Sequence, residues 1–193
     1  VSGVDGVNRK GPSRMVQSGL ISQKEMLRAV VLLSAFSFVS GLFLLYVSIG
    51  IQFTTLMFVL LGILSIAAAI NYTMGKKPYG YAGLGDLSVY IFFALVGVVG
   101  TYFLHGQAFR WEIILPAASC SFFAVAVLNI NNIRDIESDK QNGKYSIPVK
   151  IGRSNAILYH YGLLSIGFAS MLLYVIMNYQ GPWQFLFILV APL

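Results

Sequence analysis

Charged residues are scarce in this sequence: they make up 10% of its 193 residues, against roughly a quarter of an ordinary soluble domain. None occurs between Ala29 and Gly75. Cysteine is almost missing too, because Cys120 stands alone and has no partner for an intrachain disulfide. The scarcity of charge excludes a disordered segment and an ordinary water-soluble domain. The single cysteine excludes a secreted disulfide scaffold.

Apolar residues take the place of the missing charges. They make up 57% of the chain, and the mean hydropathy is +0.75. This composition is typical of a membrane protein with several spans. The net charge of +6 is therefore explained by basic loops on one side of the bilayer. We do not expect a nucleic-acid partner.

Six apolar segments are separated by turns or polar loops. The uncharged run is too long for one span of about 20 residues, and it divides near residues 50–52. The predicted spans A to E cover residues 29–50, 53–71, 87–104, 113–130 and 156–178, and span F begins near residue 183. The sequence therefore predicts an all-α polytopic transmembrane bundle with about six spans.

The positive charges fall on one side of this bundle. Twelve of the 13 Lys and Arg residues lie in the loops 1–28, 72–86 and 132–155, with Arg110 as the exception. Six of the 7 acidic residues share that side, with Glu112 as the exception. Positively charged loops mark the cytoplasmic face. We expect a multi-pass protein of the inner (plasma) membrane whose polar chemistry faces the cytoplasm.

A stripe of oxygen ligands extends the end of span D. Asn131, Asp135 and Asp139 are spaced i, i+4 and i+8, so a continuous helix places them on one face. Carboxylates one turn apart repel each other unless a cation lies between them. Mg²⁺ takes such carboxylate oxygens and leaves sites open for phosphate. The stripe predicts a magnesium site at the membrane surface.

Basic residues follow the stripe within the same loop. Lys140 and Lys144 can clamp the oxygens of a diphosphate whose charge the metal partly neutralises. Arg9 and Arg14 lie on the same predicted face and are expected to help. The alternative is a solvated helix end, in which acids and bases pair only for solubility. Polar residues within an apolar span are costly and tend to be functional, which favours the first interpretation.

Several stretches around this stripe resemble the UbiA-type intramembrane prenyltransferases, and most closely the branch that acts on 1,4-dihydroxy-2-naphthoate. The stripe followed by Gly-Lys resembles the second aspartate motif of that family. The matching stretches are NNIRD at 131–135, NGK at 142–144, VKIG at 149–152, GVDGVNRKGPSRMVQSGLIS at 3–22, and YTMGKKPYGYAGLGDLSVYIFFALVGVVGTYF at 72–103.

The resemblance implies a Mg²⁺-dependent aromatic polyprenyltransferase of nine spans. Asp5 resembles the distal acid of the first aspartate motif, whose core is absent from the sequence. We therefore expect a single partial transmembrane domain over residues 1–193, lacking both ends of the family fold and inactive by itself. The resemblance places Asp5 with Asn131, Asp135 and Asp139 as metal ligands, and it adds Lys10 and Arg134 to the diphosphate-binding cations.

The reaction that the resemblance implies uses a polyprenyl diphosphate and an aromatic acceptor. Ionisation of the donor gives an allylic cation, and the ring of 1,4-dihydroxy-2-naphthoate attacks it with loss of CO₂ to give demethylmenaquinone. Asp135 and Asp139 are the expected catalytic carboxylates. A carbocation favours aromatic walls, and the candidates near the polar face are Tyr72, Tyr79 and Tyr81. Each of them can instead be an ordinary interfacial tyrosine.

Three polar residues are candidate helix caps. Ser22 and Ser154 precede spans A and E, and Asp86 precedes span C. Asp86 has a second interpretation, in which it orients a cation or the acceptor.

Two other functions remain open. A secondary transporter also has polar residues in its spans, but it normally places ionisable groups near the middle of the bilayer. Another branch of the same superfamily uses 4-hydroxybenzoate, homogentisate or a haem precursor as the acceptor. The shape of the pocket decides among these acceptors, and the sequence does not reveal that shape.

Overall fold

The computed structural model describes residues 15–16, 18–74, 78–106 and 108–190, which are mostly helical and contain no strand. The α-helices are α1 (Gln23–Ile49), α2 (Phe53–Thr73), α3 (Gly85–Tyr90), α4 (Thr101–Gly106), α5 (Ile114–Arg134), α6 (Ile136–Gln141), α7 (Ile147–Ile151) and α8 (Arg153–Met177). A π-helix, Ile91–Gly100, joins α3 to α4. The 3-10 helices are Tyr79–Ala82, Trp111–Ile113 and Pro182–Val190.

Five of these helical segments are long and apolar enough to cross a membrane. They correspond to the predicted spans A to E, and the all-α polytopic fold is confirmed. The third span, Gly85–Gly106, is wound as α3, the π-helix and α4. The sixth apolar segment is the nine-residue 3-10 helix Pro182–Val190, which is too short to cross a bilayer of about 30 Å by itself.

The helix caps agree with the sequence at one of three positions. Ser22 caps α1, and its hydroxyl and backbone form a capping box with Glu25. Ser154 is not a cap, since α8 already begins at Arg153 after the positive-φ residue Gly152. Asp86 is not a cap either, because α3 begins one residue earlier and Asp86 lies inside its first turn.

Helix α5 forms the centre of the bundle. It packs chiefly against α8, the π-helix and α3, and Val125, Ala126 and Leu163 form the core between them. Small residues on α5 permit this close approach. On α5, Asn129 is fully buried and donates from Nδ2 to the carbonyl of Ala156 at 3.0 Å. This bond fixes the beginning of α8 against α5.

The outer helices expose their apolar side chains. Helix α2 is exposed or half-exposed along its whole described length, as expected for a surface covered by lipid rather than water. Ser48 donates to the carbonyl of Leu104, which joins the end of α1 to the end of α4. At the opposite end of the bundle, the segment 78–86 contacts the chain after α6. The polar segments therefore gather at one end.

Candidate active site

The predicted ligand stripe lies where α5 ends. The helix stops at Arg134, Asp135 takes φ −97° and ψ 10°, and α6 begins at Ile136. The sequence predicted an unbroken helix here, so the one-residue interruption is a correction. Backbone hydrogen bonds still run from Asp135 to the Asn131 carbonyl at 3.1 Å and from Asp139 to the Asp135 carbonyl at 2.7 Å. The helical spacing of the three residues therefore survives the interruption.

Asp135 is held by the residue before it in the chain. Arg134 donates from Nε and from a terminal nitrogen to the two carboxylate oxygens, at 2.8 and 2.9 Å. The pair is planar and bidentate, which is the geometry in which a guanidinium also binds phosphate. The carboxylate side chain is 11% exposed and the arginine 36% exposed. Arg134 is thus accessible to a ligand that approaches from the polar end.

Asp139 forms a second network that is more deeply buried. Its residue is 6% exposed, and its Oδ2 accepts from the Lys144 ammonium at 2.8 Å. Lys144 also donates to Oδ1 of Asn132 at 3.2 Å, and its backbone N–H donates to the Asp139 carbonyl at 2.8 Å. The alternative interpretation of the stripe, a solvated helix end, requires exposed carboxylates. Asp139 is instead buried and paired, as a charge away from water must be because its burial is otherwise costly.

The remaining predicted metal and diphosphate ligands are either exposed or outside the described ranges. Asn131 is exposed, and it is the neighbouring Asn132 that contacts Lys144. Lys140 is exposed on α6. Four of the predicted residues lie outside the described ranges, and these are Asp5, Arg9, Lys10 and Arg14.

A cavity of about 290 Å³ opens beside this polar end. Tyr72, Tyr79 and Phe92 contribute aromatic walls, together with Phe93 and several small residues of α2 and α3. The rings of Tyr72 and Tyr79 meet edge to face, with centroids 5.4 Å apart. The Tyr79 hydroxyl donates to the Ala68 carbonyl at 2.8 Å and lies 3.2 Å from Ser88 Oγ. The cavity is therefore aromatic and rigidly held.

Two further predicted residues, Tyr81 and Asp86, lie on the chain between the cavity residues Tyr79 and Ser88. Asp86 Oδ2 accepts from the Tyr159 hydroxyl of α8 at 3.0 Å, and the Tyr81 carbonyl accepts from the Tyr145 N–H at 2.8 Å. A Cβ on Gly85, the residue before Asp86, would lie 3.0 Å from the Tyr72 hydroxyl and 3.4 Å from Leu128 Cδ2 of α5. The aromatic cavity and the acidic end of α5 are thus neighbours in space.

The donor set at this end suits a hard cation. Asp135 and Asp139 present carboxylate oxygens one helical turn apart, and Asn131 presents an amide oxygen one turn earlier. These are the ligands that Mg²⁺ prefers. Within the part of the chain that the structure describes, no group of three or more His, Cys, Asp or Glu residues is placed to hold a metal. The described residues therefore do not by themselves enclose a metal ion.

Three contacts of the site escaped the sequence analysis. They involve Asn132, Tyr145 and Tyr159, which approach Lys144, Tyr81 and Asp86 respectively. Asn132 carries a signal in the sequence, because it is a polar residue at the end of an apolar span. Tyr145 contributes only its backbone N–H, which every residue except proline possesses, and Tyr159 resembles any other interfacial tyrosine.

Comparison with known proteins identifies the family. The profile described as the UbiA prenyltransferase family matches residues 3–193. The chain belongs to the UbiA prenyltransferase family. This agrees with the resemblance that the aspartate motif and its flanking stretches indicate. No solved structure matches the chain.

Three similar proteins are named 1,4-dihydroxy-2-naphthoate octaprenyltransferase. The protein of Escherichia coli (strain K12) is 44% identical over 100% of this chain and 63% of its own length. That of Haemophilus influenzae is 45% identical over 99% of this chain and 62% of its own length, and that of Mycobacterium tuberculosis is 33% identical over 96% and 61%. The chain thus spans somewhat less than two thirds of these relatives.

Proposed function

We propose that the protein transfers a polyprenyl group from polyprenyl diphosphate to 1,4-dihydroxy-2-naphthoate. The observation that carries the proposal is the position of the acidic network at the end of α5, next to an aromatic cavity. An acidic and basic network suits a diphosphate, and an aromatic cavity suits a flat acceptor and an allylic cation. The names of the relatives support the choice of acceptor.

The donor side of the mechanism belongs to the α5–α6 junction. Asp135, Asp139 and Asn131 would hold Mg²⁺, which supplies charge neutralisation for a leaving diphosphate. Arg134 and Lys144 exchange their present carboxylate partners for phosphate oxygens, and Lys140 is exposed nearby. Asp5, Arg9, Lys10 and Arg14 are expected to complete this donor site.

The acceptor side belongs to the aromatic cavity. Tyr72 and Tyr79 flank the space in which the allylic C–O bond breaks, and their ring faces stabilise the positive charge left on carbon. Asp86, held by Tyr159, lies where it can orient a ring hydroxyl of the acceptor, and Tyr81 supports the same segment. The ring carbon that bears the carboxylate attacks, a C–C bond forms, and CO₂ leaves, which gives demethylmenaquinone as its quinol.

The location of the site follows from the charge distribution. We infer that the polar end faces the cytoplasm in the plasma membrane, since the basic loops gather there. The secondary-transporter alternative is less favoured, because the charged side chains of the described spans lie at the span ends.

An assay of acceptor choice tests the proposal. Membranes containing the protein at the full length of its relatives are given labelled polyprenyl diphosphate, Mg²⁺ and one acceptor at a time. We expect labelled product and CO₂ release with 1,4-dihydroxy-2-naphthoate, loss of product with EDTA, recovery on adding Mg²⁺, and no turnover by the 193-residue chain alone. Product formed preferentially from 4-hydroxybenzoate, homogentisate or a haem precursor would contradict the choice of acceptor.

A further inference from the structure

Two loops that are distant in sequence are joined at the polar end by a compact set of contacts. The Tyr145 N–H donates to the Tyr81 carbonyl at 2.8 Å. The Lys150 ammonium donates to the Ala82 carbonyl at 2.9 Å, across 68 residues of sequence. Gly83 lies beside Lys150 and Tyr145. We call Gly83, Tyr145 and Lys150 the loop clamp.

Glycine at position 83 is required by the close approach of the two loops. Its φ is +86°, a conformation that side chains with a Cβ rarely adopt. A Cβ at this position would lie 2.5 Å from the Lys150 ammonium nitrogen and 2.5 Å from the Tyr145 carbonyl oxygen. Both the backbone conformation and the available space therefore require glycine, and they do so because Lys150 and Tyr145 approach so closely.

The clamp is continuous with both halves of the proposed site. On one side, Lys144 directly precedes Tyr145 in the chain and is bonded to Asp139 and Asn132. On the other side, the clamped segment carries Tyr79, which lines the aromatic cavity, and leads directly to Asp86. A displacement of the clamp therefore moves the cavity relative to the carboxylates.

Lys150 differs in this respect from the other cations of its loop. Arg134 and Lys144 are paired with carboxylates of the donor site, whereas Lys150 donates to a backbone carbonyl of the cavity segment. Its charge is thus used to hold a loop. The 3-10 helix Tyr79–Ala82 is only four residues long, and such short elements depend on outside contacts for their order.

We propose that Lys150 and Gly83 are positioning residues that hold the segment 78–86 against the loop after α6. They thereby keep the acceptor cavity at a fixed position relative to the acidic network. The inference deepens the proposed function and rests on it in one respect, namely that the cavity receives the aromatic acceptor.

Hydrogen exchange tests the clamp without any assay of activity. Lys150→Met keeps the aliphatic stem and removes the donor. We expect faster amide exchange than in the wild type for residues 79–86 and for Tyr145, with unchanged exchange in α5. Lys24→Met, which removes an exposed cation from the start of α1 on the same face, is the matched control and should exchange like the wild type. Unchanged exchange in Lys150→Met would overturn the clamp.

Kinetics of the full-length protein test its role. Lys150→Met should raise the apparent KM for the acceptor roughly three- to tenfold, the effect of one lost hydrogen bond, and leave the KM for the donor within about twofold. Lys150→Arg, which keeps a donor, should restore the acceptor KM. Gly83→Ala should reproduce the Lys150→Met pattern more strongly. An equal rise in both KM values, or no rise in either, would overturn the positioning role.

The two tests separate the clamp from the proposed function. If the wild type uses none of the aromatic acceptors, the proposed function fails, while the exchange experiment still decides whether Lys150 orders the segment 78–86. If the wild type is active and the exchange of Lys150→Met is unchanged, the clamp fails and the proposed function stands.

Discussion

At the residue scale, the charged side chains at the end of α5 form two ion pairs. Arg134 binds Asp135 through Nε and one terminal nitrogen, and Lys144 binds the buried Asp139. An exposed pair is worth at most about 1 kcal/mol, but removing one partner of a buried pair leaves an uncompensated charge and costs about 3–5 kcal/mol. The Asp139 and Lys144 side chains are 8% and 23% exposed, against 11% and 36% for Asp135 and Arg134. Both carboxylates are thus largely buried, and the loss of Asp139 should lower stability somewhat more than the loss of Asp135.

The first prediction concerns the carboxylates as metal ligands. Asp135→Asn keeps the shape and removes the charge, so product formation by the full-length protein should fall by orders of magnitude while expression and insertion change little. Asp139→Asn should lose as much activity, and it should also lower stability because Lys144 loses its anion. Turnover is measured with labelled donor in the presence of Mg²⁺.

Glu137→Gln provides the matched control for both variants. It removes one negative charge from an exposed position of α6, between the two carboxylates in sequence. It should retain near-normal activity. Retention of about half the activity by Asp135→Asn would match the small worth of a surface pair and would refute the metal assignment.

The second prediction concerns Lys144. If its ammonium transfers from Asp139 to the diphosphate, Lys144→Ala should raise the apparent KM for the prenyl donor more than that for the acceptor. This is the opposite of the pattern expected for Lys150. Steady-state kinetics with each substrate varied in turn measure the difference, and Lys24→Ala serves as the control. Equal changes in both KM values would indicate a folding defect instead.

At the level of helices, close packing of α5 on α8 organises the molecule. Gly167 lies against the ring of Phe123, which in turn meets Phe168 with centroids 5.0 Å apart. In lipid, small residues at helix interfaces supply the packing that water-driven burial supplies elsewhere. The fit of these two helices therefore determines where Tyr159 and Asn132 lie relative to the site.

The third prediction tests this interface with two glycines of the same helix. A Cβ at Gly167 would lie 3.0 Å from Phe123 Cε1, whereas one at Gly162 meets nothing within 4 Å. Gly167→Val should lower the free energy of unfolding by about 1–3 kcal/mol through overpacking. Gly162→Val should be neutral or slightly stabilising, since valine is a better helix former than glycine. Thermal unfolding in detergent compares them, and equal melting temperatures would contradict the interface.

At the level of the whole molecule, successive spans run in opposite directions, and the contacting polar segments lie at one end of the bundle. Contacts across this end join residues 81–86 to residues 145–159, while Ser48 and Leu104 meet at the other end. This division suits the proposed polyprenyl diphosphate donor, because a diphosphate head belongs at the polar surface and a prenyl tail belongs in the apolar layer.

The fourth prediction concerns orientation. After Cys120 is replaced by serine, single cysteines at Asn142 and Gln180 are exposed in turn to an impermeant thiol reagent outside intact cells. Position 180 should react and position 142 should react only after the cells are opened, because the basic end faces inward. Labelling of position 142 from outside would reverse the proposed topology.

The sequence by itself determined the first five spans and the helical spacing of the polar stripe at the end of the fourth. A helix in lipid must satisfy its own backbone hydrogen bonds, so long apolar runs have one structural outcome, and basic loops fix which ends share a face. The i, i+4 spacing of Asn131, Asp135 and Asp139 is likewise a local property of the sequence. It is kept across the break at Asp135, although the sequence has no helix-breaking residue there.

Only the tertiary structure decided which loops meet. Lys150 reaches the Ala82 carbonyl, Tyr159 reaches Asp86, and Lys144 reaches Asn132. The first of these acceptors is a backbone carbonyl, a group present at every residue, so no pattern of side chains can point to it. The winding of the third span as a π-helix and the fit of α8 on α5 depend likewise on packing between helices. Such contacts exist only once the helices have found their neighbours, because packing rather than local propensity positions these loops.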